Sequence, residues 1–172
     1  MPNTAQIKID VTNFAANPSL PTPGVSPPAP HCAINGPTLQ DGPGNSGLGD
    51  ADGQVVIDSD GTIVVTRRGP GNAPIKLQFT ISGPAGANLR PTDIVFVQSR
   101  GTGDSNGGVN FPNAGRTMGG SRITIDNHCV TRGPRQTAAG TNLAAKWKYF
   151  IRVQQGTAFG WIDPGIENAD EM

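Results

Sequence analysis

The chain has 172 residues, a length that suits one domain, and its thirteen Lys and Arg residues balance thirteen Asp and Glu residues. A formal charge of zero without a basic cluster disfavours nucleic acid or a membrane surface as partner, because both are bound through basic patches. No apolar run reaches the ~18 residues that a membrane-spanning helix needs. Residues 1–4 lack the basic and apolar stretches of a secretory signal, so a cytoplasmic protein is expected.

The composition indicates short strands separated by long connections. The chain contains 24 glycines and 16 prolines, with 35% hydrophobic and 5% aromatic residues. Glycine and proline together reach about twice their usual ~12% share. The apolar residues are nevertheless grouped into alternating runs, which disfavours disorder. We therefore expect an all-β protein in which residues 1–172 form a single domain.

The first predicted strand is Gln6–Phe14, where Ile7, Ile9 and Val11 alternate with polar residues. The next segment, Asn17–Gly53, carries eight prolines and no sustained periodicity. Because proline lacks a backbone donor, no central strand is expected in it. We predict a long Pro/Gly-rich connection within the domain that crosses an edge of the sheets.

Turn chemistry predicts a hairpin in the next part of the chain. Asp60-Gly61 separates Gln54–Ile57 from Thr62–Arg68 and tolerates the positive φ of a tight turn. Three further runs are predicted strands: Ile75–Ile81, Asp93–Gln98 and Arg122–Asp126. Of these, Asp93–Gln98 is apolar on both faces, which predicts an inner strand. A second long Gly-rich connection, Arg100–Gly120, precedes the last run.

The stretch Lys146–Asn168 holds both tryptophans, the only tyrosine and two of the six phenylalanines. Its pattern predicts two strands joined by Gln154-Gln155-Gly156, the second of which stops at Asp163-Pro164. One face of the first strand carries large side chains that we expect in the core: Trp147, Tyr149, Ile151 and Val153.

These runs amount to seven or eight strands with no amphipathic helix of useful length, although Asn142–Ala145 is compatible with one helical turn. Their spacing and alternation predict an antiparallel two-sheet sandwich of immunoglobulin-like type with long Pro/Gly-rich loops. A jelly roll or small barrel is the alternative.

The C-terminal strands resemble a known family. Trp147-x-Tyr149-x-Ile151-x-Val153-x-x-Gly156 is followed by Trp161-Ile162-Asp163-Pro164-Gly165-Ile166-Glu167-Asn168. This pattern resembles the small bacterial DP-EP family, which takes its name from an Asp-Pro and a Glu-Pro motif. The final Glu-Pro is absent, since Glu171 is followed by Met172. The resemblance implies an immunoglobulin-like sandwich and no established activity.

The two histidines and two cysteines of the chain occur as adjacent pairs, His31-Cys32 and His128-Cys129. Two thiolates and two imidazoles suit a tetrahedral zinc site. Neighbouring residues on a strand point to opposite faces, however, so the adjacent spacing argues against a site built from both members of a pair. The alternatives are a disulfide between the cysteines, which requires an oxidising compartment, or buried cysteines beside loop or surface histidines.

Two acidic runs resemble calcium loops, Asp50-Ala-Asp52-Gly53 and Asp58-Ser-Asp60-Gly61. An EF-hand loop needs a bidentate Glu beyond its glycine and flanking helices, and both are missing. Turn chemistry is therefore the better interpretation.

Trp161 would serve as a sugar-binding platform if it were exposed, but its position beside Phe159 favours the core or a subunit contact.

The sequence contains no matched set of nucleophile, base and orienting group, which predicts a non-catalytic protein without a cofactor. We expect binding or assembly through the loops Asn17–Gly53 and Arg100–Gly120, or through an exposed strand edge. The partner would be another protein, a small ligand or a further copy in a homo-oligomer. The alternatives are a metal- or thiol-dependent protein that uses the two His-Cys pairs, and then an enzyme that uses carboxylates such as Asp126 and Asp163.

Overall fold

The computed structural model describes residues 4–40, 54–67, 74–113 and 120–170, so the acidic run at residues 50–53 lies outside the described residues. Eleven strands, and no helix, occur in these ranges. In chain order they are β1 (Thr4–Asn13), β2 (Ala33–Leu39), β3 (Gln54–Ile57), β4 (Ile63–Arg67), β5 (Ile75–Ser82), β6 (Leu89–Arg100), β7 (Arg122–Asn127), β8 (Gly133–Pro134), β9 (Ala145–Gln155), β10 (Ala158–Ile162) and β11 (Gly165–Asp170). A search of the same ranges finds no helix that could cross a membrane.

The strands form two sheets that enclose one core, which confirms an all-β sandwich. The first sheet has the order β2-β1-β5-β7. In the second sheet, β9 pairs with β6 on one side, and the order continues from β9 through β11 and β4 to β3. Both sheets are mixed, because β1 pairs parallel with β5 and β11 pairs parallel with β4. The expectation of purely antiparallel sheets is therefore wrong, since side-chain alternation is the same for either strand direction.

The strand pair β10 and β11 forms one line along a single edge of β9. Ile162 lies opposite Ile151 and Gly165 lies opposite Lys148, so only Asp163-Pro164 interrupts the ladder. The backbone N–H of Tyr149 still donates to the carbonyl oxygen of Pro164 at 3.2 Å. The predicted stop at Asp163-Pro164 is correct for β10, but the chain resumes the same pairing as β11.

The predicted aromatic core is confirmed. Trp147 and Tyr149 are fully buried, and the ring of Tyr149 lies 5.3 Å from that of Phe79 across the two sheets. Phe96 stacks on Phe111 at 4.0 Å, and Phe111 meets Trp147 edge to face at 5.3 Å. Burial raises the pKa of Tyr149, whose hydroxyl has no hydrogen-bond partner among the described residues. These rings fill the space between the sheets.

The outer face of the second sheet carries a second apolar cluster of Val95, Phe150 and Trp161. The connection over residues 17–32 lies against this face, because both of its ends form backbone hydrogen bonds with the edge of β10 that faces away from β9. The N–H of Asn17 donates to the carbonyl oxygen of Phe159 at 2.6 Å, and the N–H of Cys32 donates to that of Trp161 at 2.8 Å. The indole N–H of Trp161 also donates to the Ser19 carbonyl oxygen at 3.2 Å. We call residues 17–32 the covering loop.

Asn17 holds the covering loop closed. Its side-chain amide donates to the carbonyl oxygens of Pro28 at 2.6 Å and Pro30 at 2.9 Å, while its own oxygen accepts from the Ser19 N–H at 3.1 Å. Prolines cannot donate, so the carbonyl groups of this stretch need donors from elsewhere. Of the connection expected over residues 17–53, residues 17–32 thus run along a sheet edge, residues 33–39 form β2, and residues 41–53 lie outside the described ranges. Burial makes Trp161 a packing residue, so the sugar-platform interpretation is wrong.

Three strands were not expected from the sequence: β2, β8 and β11. β2 contains Pro37 and is an edge strand, which is where a sheet tolerates proline. β8 has only two residues, too few for any periodic signal. The helical turn expected at residues 142–145 is wrong, because no helix is present there and Ala145 begins β9.

We predict that Gly160→Ala destabilises the protein while Gly165→Ala does not. A Cβ atom at Gly160 would lie 2.7 Å from the carbonyl oxygen of Ala15 and 2.9 Å from Sγ of Cys32, whereas at Gly165 the nearest atom is Oγ1 of Thr62 at 3.5 Å. Overpacking of this kind typically costs about 1–3 kcal/mol. Urea unfolding of both variants measures the difference, and equal midpoints would show that β10 and the covering loop are not closely packed.

Candidate functional site

The first His-Cys pair fastens the end of the covering loop. Nδ1 of His31 lies 3.6 Å from Oδ2 of Asp163, and Nε2 donates to the Pro27 carbonyl oxygen at 3.0 Å. The imidazole also lies 5.7 Å from the ring of Phe150. Cys32 is buried, and its sulfur accepts from the N–H of Ala15 at 3.4 Å. Burial raises the pKa of the Cys32 thiol, which disfavours the thiolate that metal binding or nucleophilic attack requires.

The second pair, His128-Cys129, directly follows β7 beside a network of buried side-chain amides. The side chains of Asn127 and Asn168 exchange hydrogen bonds of 2.6 and 3.1 Å, which joins the two sheets. Asn127 also accepts from the N–H of Cys129 at 2.9 Å, and the N–H of His128 donates to the Asn110 carbonyl oxygen at 2.8 Å. Cys129 adopts a φ of 48° and is buried. The pair is thus part of a structural connection between the sheets.

The two pairs contact different elements, since Cys32 lies against β10 and Cys129 follows β7. No disulfide joins the two cysteines. In the part of the chain that the structure describes, no group of three or more His, Cys, Asp and Glu side chains is arranged to hold a metal. A metal centre made from His31, Cys32, His128 and Cys129 therefore stays a prediction.

The carboxylates of Asp126 and Asp163 have separate partners. Burial opposes the charge of Asp126, but hydrogen bonds of 2.9 Å from both Lys76 and Asn113 outweigh it and lower the pKa of this carboxyl group. Asp163 instead faces His31. Nothing in these contacts joins the two acids in one cleft.

A buried ion network lies at the other end of the second sheet and was not expected from the sequence. The carboxylate of Glu167 is only 3% exposed and binds Nη2 of Arg100 at 2.6 Å and Nε of Arg135 at 3.1 Å. Arg135 also pairs with Asp58. Burial opposes the charge of Arg135, but Asp58 and Glu167 raise the pKa of its guanidinium. Because both oxygens of Glu167 bind cations, this carboxylate suits a structural role.

A polar pocket of about 420 Å³ adjoins the network and is lined by Arg135, Gln136, Gly140 and Asn142. The side-chain amide of Asn142 donates to Oε1 of Glu167 at 3.4 Å, so part of this lining is already engaged. The pocket therefore presents few donors that are not used by the protein itself.

A second concave surface is lined by residues of both long connections and of β6, where the sequence predicted binding. It has a volume of about 290 Å³ and is lined by Pro23, Ile94, Val95, Phe96, Asn106, Gly108, Phe111 and Pro112. We call it the loop groove, because Pro23 belongs to the covering loop and residues 106–112 belong to the connection after β6. A Cβ atom built on Gly24 would lie 3.3 Å from Cβ of Asn106, so the two connections meet at this surface.

The strand in the floor of the loop groove is an edge strand. β6 pairs only with β9 among the described strands, so the expectation that residues 93–98 form an inner strand is wrong. Both faces of β6 are nevertheless covered, since Phe96 packs in the core and Val95 packs with Phe150 and Trp161 on the outer face. Cover on both faces produces the apolar run of an inner strand without a second neighbouring strand.

No protein-family model matches this chain, and a search of curated proteins returns no significant match. The resemblance to the DP-EP family accordingly stays a prediction.

We predict that Glu167→Gln destabilises the fold by about 3 kcal/mol, the lower end of the range for a broken buried ion pair, because the two guanidinium groups are each 34% exposed. The control is Asp170→Asn in the same strand, whose pair with Arg132 is solvent-accessible, so a change below about 1 kcal/mol is expected. Urea unfolding at neutral pH compares the two variants. Equal losses would contradict a special role for Glu167.

We predict that iodoacetamide does not label Cys32 in the native protein at pH 8, because the thiol is buried and its pKa is raised. Labelling in guanidinium chloride, followed by peptide mass mapping, provides the control.

Elemental analysis of the same sample tests the metal hypothesis, and we expect no zinc or copper at one atom per chain. A stoichiometric metal would favour the His31, Cys32, His128 and Cys129 alternative.

Proposed function

We propose that this protein is a non-catalytic β-sandwich module of immunoglobulin-like type, which binds a partner or ligand in the loop groove. One observation carries the proposal: both long connections and the edge of β6 that has no paired strand among the described residues contribute to a single concave surface. Loops held by a rigid scaffold are a common location for binding sites. A cytoplasmic location and membership of the DP-EP family belong to the same proposal.

The lining of the loop groove favours an uncharged ligand. No described lining residue carries a charge, and Asn106 supplies the only polar side chain. Two large apolar residues close to the groove in sequence are solvent-exposed, Val25 at 54% and Val109 at 51%. Burial of such apolar surface stabilises a complex by about 25 cal/mol per Å² before the losses of association are subtracted. Apolar contacts would therefore supply most of the affinity.

An NMR screen of uncharged aliphatic and aromatic fragments against ¹⁵N-labelled protein tests this proposal. We expect amide shift changes that cluster at Ile94, Val95, Asn106 and Gly108.

In the variant Pro112→Asp, a carboxylate at the exposed rim of the groove would be desolvated by an apolar ligand. The affinity for the fragments should therefore fall at least about tenfold, equivalent to 1.4 kcal/mol. Pro84→Asp places the same change at an exposed turn away from the groove and should bind normally.

Fragments that bind only elsewhere, for example beside Arg135, would overturn the proposal. So would equal affinities for Pro112→Asp and Pro84→Asp. A doubled mass by light scattering, with the same amide shifts on raising the protein concentration, would identify assembly with a second copy as the use of this surface.

A further inference from the structure

We infer that the occupant of the loop groove is an extended, uncharged polypeptide segment of a partner protein, whose backbone pairs with the free edge of β6. The inference rests on the proposed binding function and specifies the class of ligand. It depends on the direction of the backbone groups of β6, on the absence of a partner for the outward groups of Ile94 and Phe96 among the described residues, and on the uncharged lining.

Two hydrogen bonds show which backbone groups of β6 point away from β9. Tyr149 lies opposite Phe96, and its N–H donates to Pro164 on the far side of β9, at 3.2 Å. The N–H of Gln98 donates to the Ser105 carbonyl oxygen at 2.9 Å, which is also outside the sheet. In an antiparallel pair the outward groups belong to alternate residues. The N–H and C=O groups of Ile94 and Phe96 therefore point outward, whereas those of Val95 bond to β9.

The outward groups of Ile94 and Phe96 have no hydrogen-bond partner within the described ranges. As whole residues Ile94 and Phe96 are 5% and 1% exposed, and both line the loop groove. Backbone groups that are removed from water without a partner are unfavourable, and native proteins pair more than nine in ten of them. A strand added at this edge would supply the missing donors and acceptors, which an apolar small molecule would not.

The available edge is short and has defined ends. On one side, Pro91 offers no donor, and the register of β6 shifts between Pro91 and Asp93. On the other side, Gly107 lies so close that a Cβ atom there would be 2.7 Å from Cβ of Phe96. The pairing would thus centre on Ile94–Phe96, which corresponds to about three ligand residues at ~3.3 Å each.

The chemistry of the groove restricts the side chains of this segment. Pro23, Pro112 and Val95 offer apolar contact, and no lining residue can neutralise a buried charge. Asn106 can bond a ligand amide through its side chain, part of which already accepts from the N–H of Gly108 at 3.0 Å. A segment with small or apolar uncharged residues at alternate positions fits this surface, and one with Lys or Glu at those positions does not.

The test begins with selection from a displayed library of random heptapeptides on the intact protein. We expect enriched peptides to be uncharged and apolar at alternate positions, and to bind Pro84→Asp as they bind the unaltered protein. Binding to Pro112→Asp should be at least tenfold weaker.

Single N-methylation along the best peptide should weaken binding at least tenfold at alternate residues only, because only alternate amides would donate to β6. A flat N-methylation profile would overturn the inference.

Hydrogen exchange measured by NMR gives a readout at β6 itself. In the free protein, the amides of Ile94 and Phe96 should exchange faster than those of Val95 and Val97, which bond to β9. Saturating peptide should slow exchange at Ile94 and Phe96 at least tenfold and leave Val95 unchanged. Binding without this protection would overturn the inference, as would Ile94 and Phe96 amides that are already protected in the dilute free protein.

The experiment separates this inference from the proposed function. If fragments bind the loop groove but no peptide is enriched, the groove is a small-ligand site and the polypeptide inference fails alone. If neither binds there, both fail. Protection of Ile94 and Phe96 that grows with protein concentration and accompanies a doubled mass would make the occupant a second copy, which also overturns the partner-protein inference.

Discussion

The hydrogen-bonded ladders along both edges of β9 organise the second sheet. One edge pairs with β6 from Lys146 to Gln155, and the other pairs with β10 and then β11. Because both edges are paired, the side chains of β9 point alternately to the core and to the outer face of the sheet. Trp147 and Tyr149 consequently point between the sheets, while Phe150 points to the outer face. A large aromatic side chain on the outer face creates the need for a cover.

The long connections supply that cover. At one end of the second sheet the covering loop is anchored through Asn17 and lies over Phe150 and Trp161. At the other end the arginines of the Glu167 network hold the chain around residues 135–144 against β11. Of the two His-Cys pairs, His31-Cys32 fastens the covering loop, whereas His128-Cys129 lies beside the amide network that connects the two sheets. The loop groove lies where the covering loop and the connection after β6 meet beside this strand.

The sequence predicted the segments that form the candidate site but not their arrangement in space. The long connections could be recognised as candidate binding segments because glycine and proline interrupt every periodic pattern in them. That Pro23 and Asn106 approach the same strand edge depends on contacts between residues more than 80 positions apart. The burial of Glu167 could not be foreseen, because the residue lies beyond the predicted stop at Asp163-Pro164 and glutamate is ordinarily solvent-exposed.

Local sequence patterns were enough to predict eight of the strands, the turn at Asp60-Gly61 and the aromatic face of β9. Each of these follows from side-chain alternation or backbone preference over a few residues. The features that join distant segments depend on contacts that no local pattern reports. These are the parallel pairing of β1 with β5, the resumption of the ladder after Asp163-Pro164, and the position of β6 at an edge despite its apolar faces. Side-chain alternation shows which faces of a strand are buried, but it does not show whether a strand or a loop covers them. The position of β6 at a sheet edge could therefore not be predicted from its apolar faces.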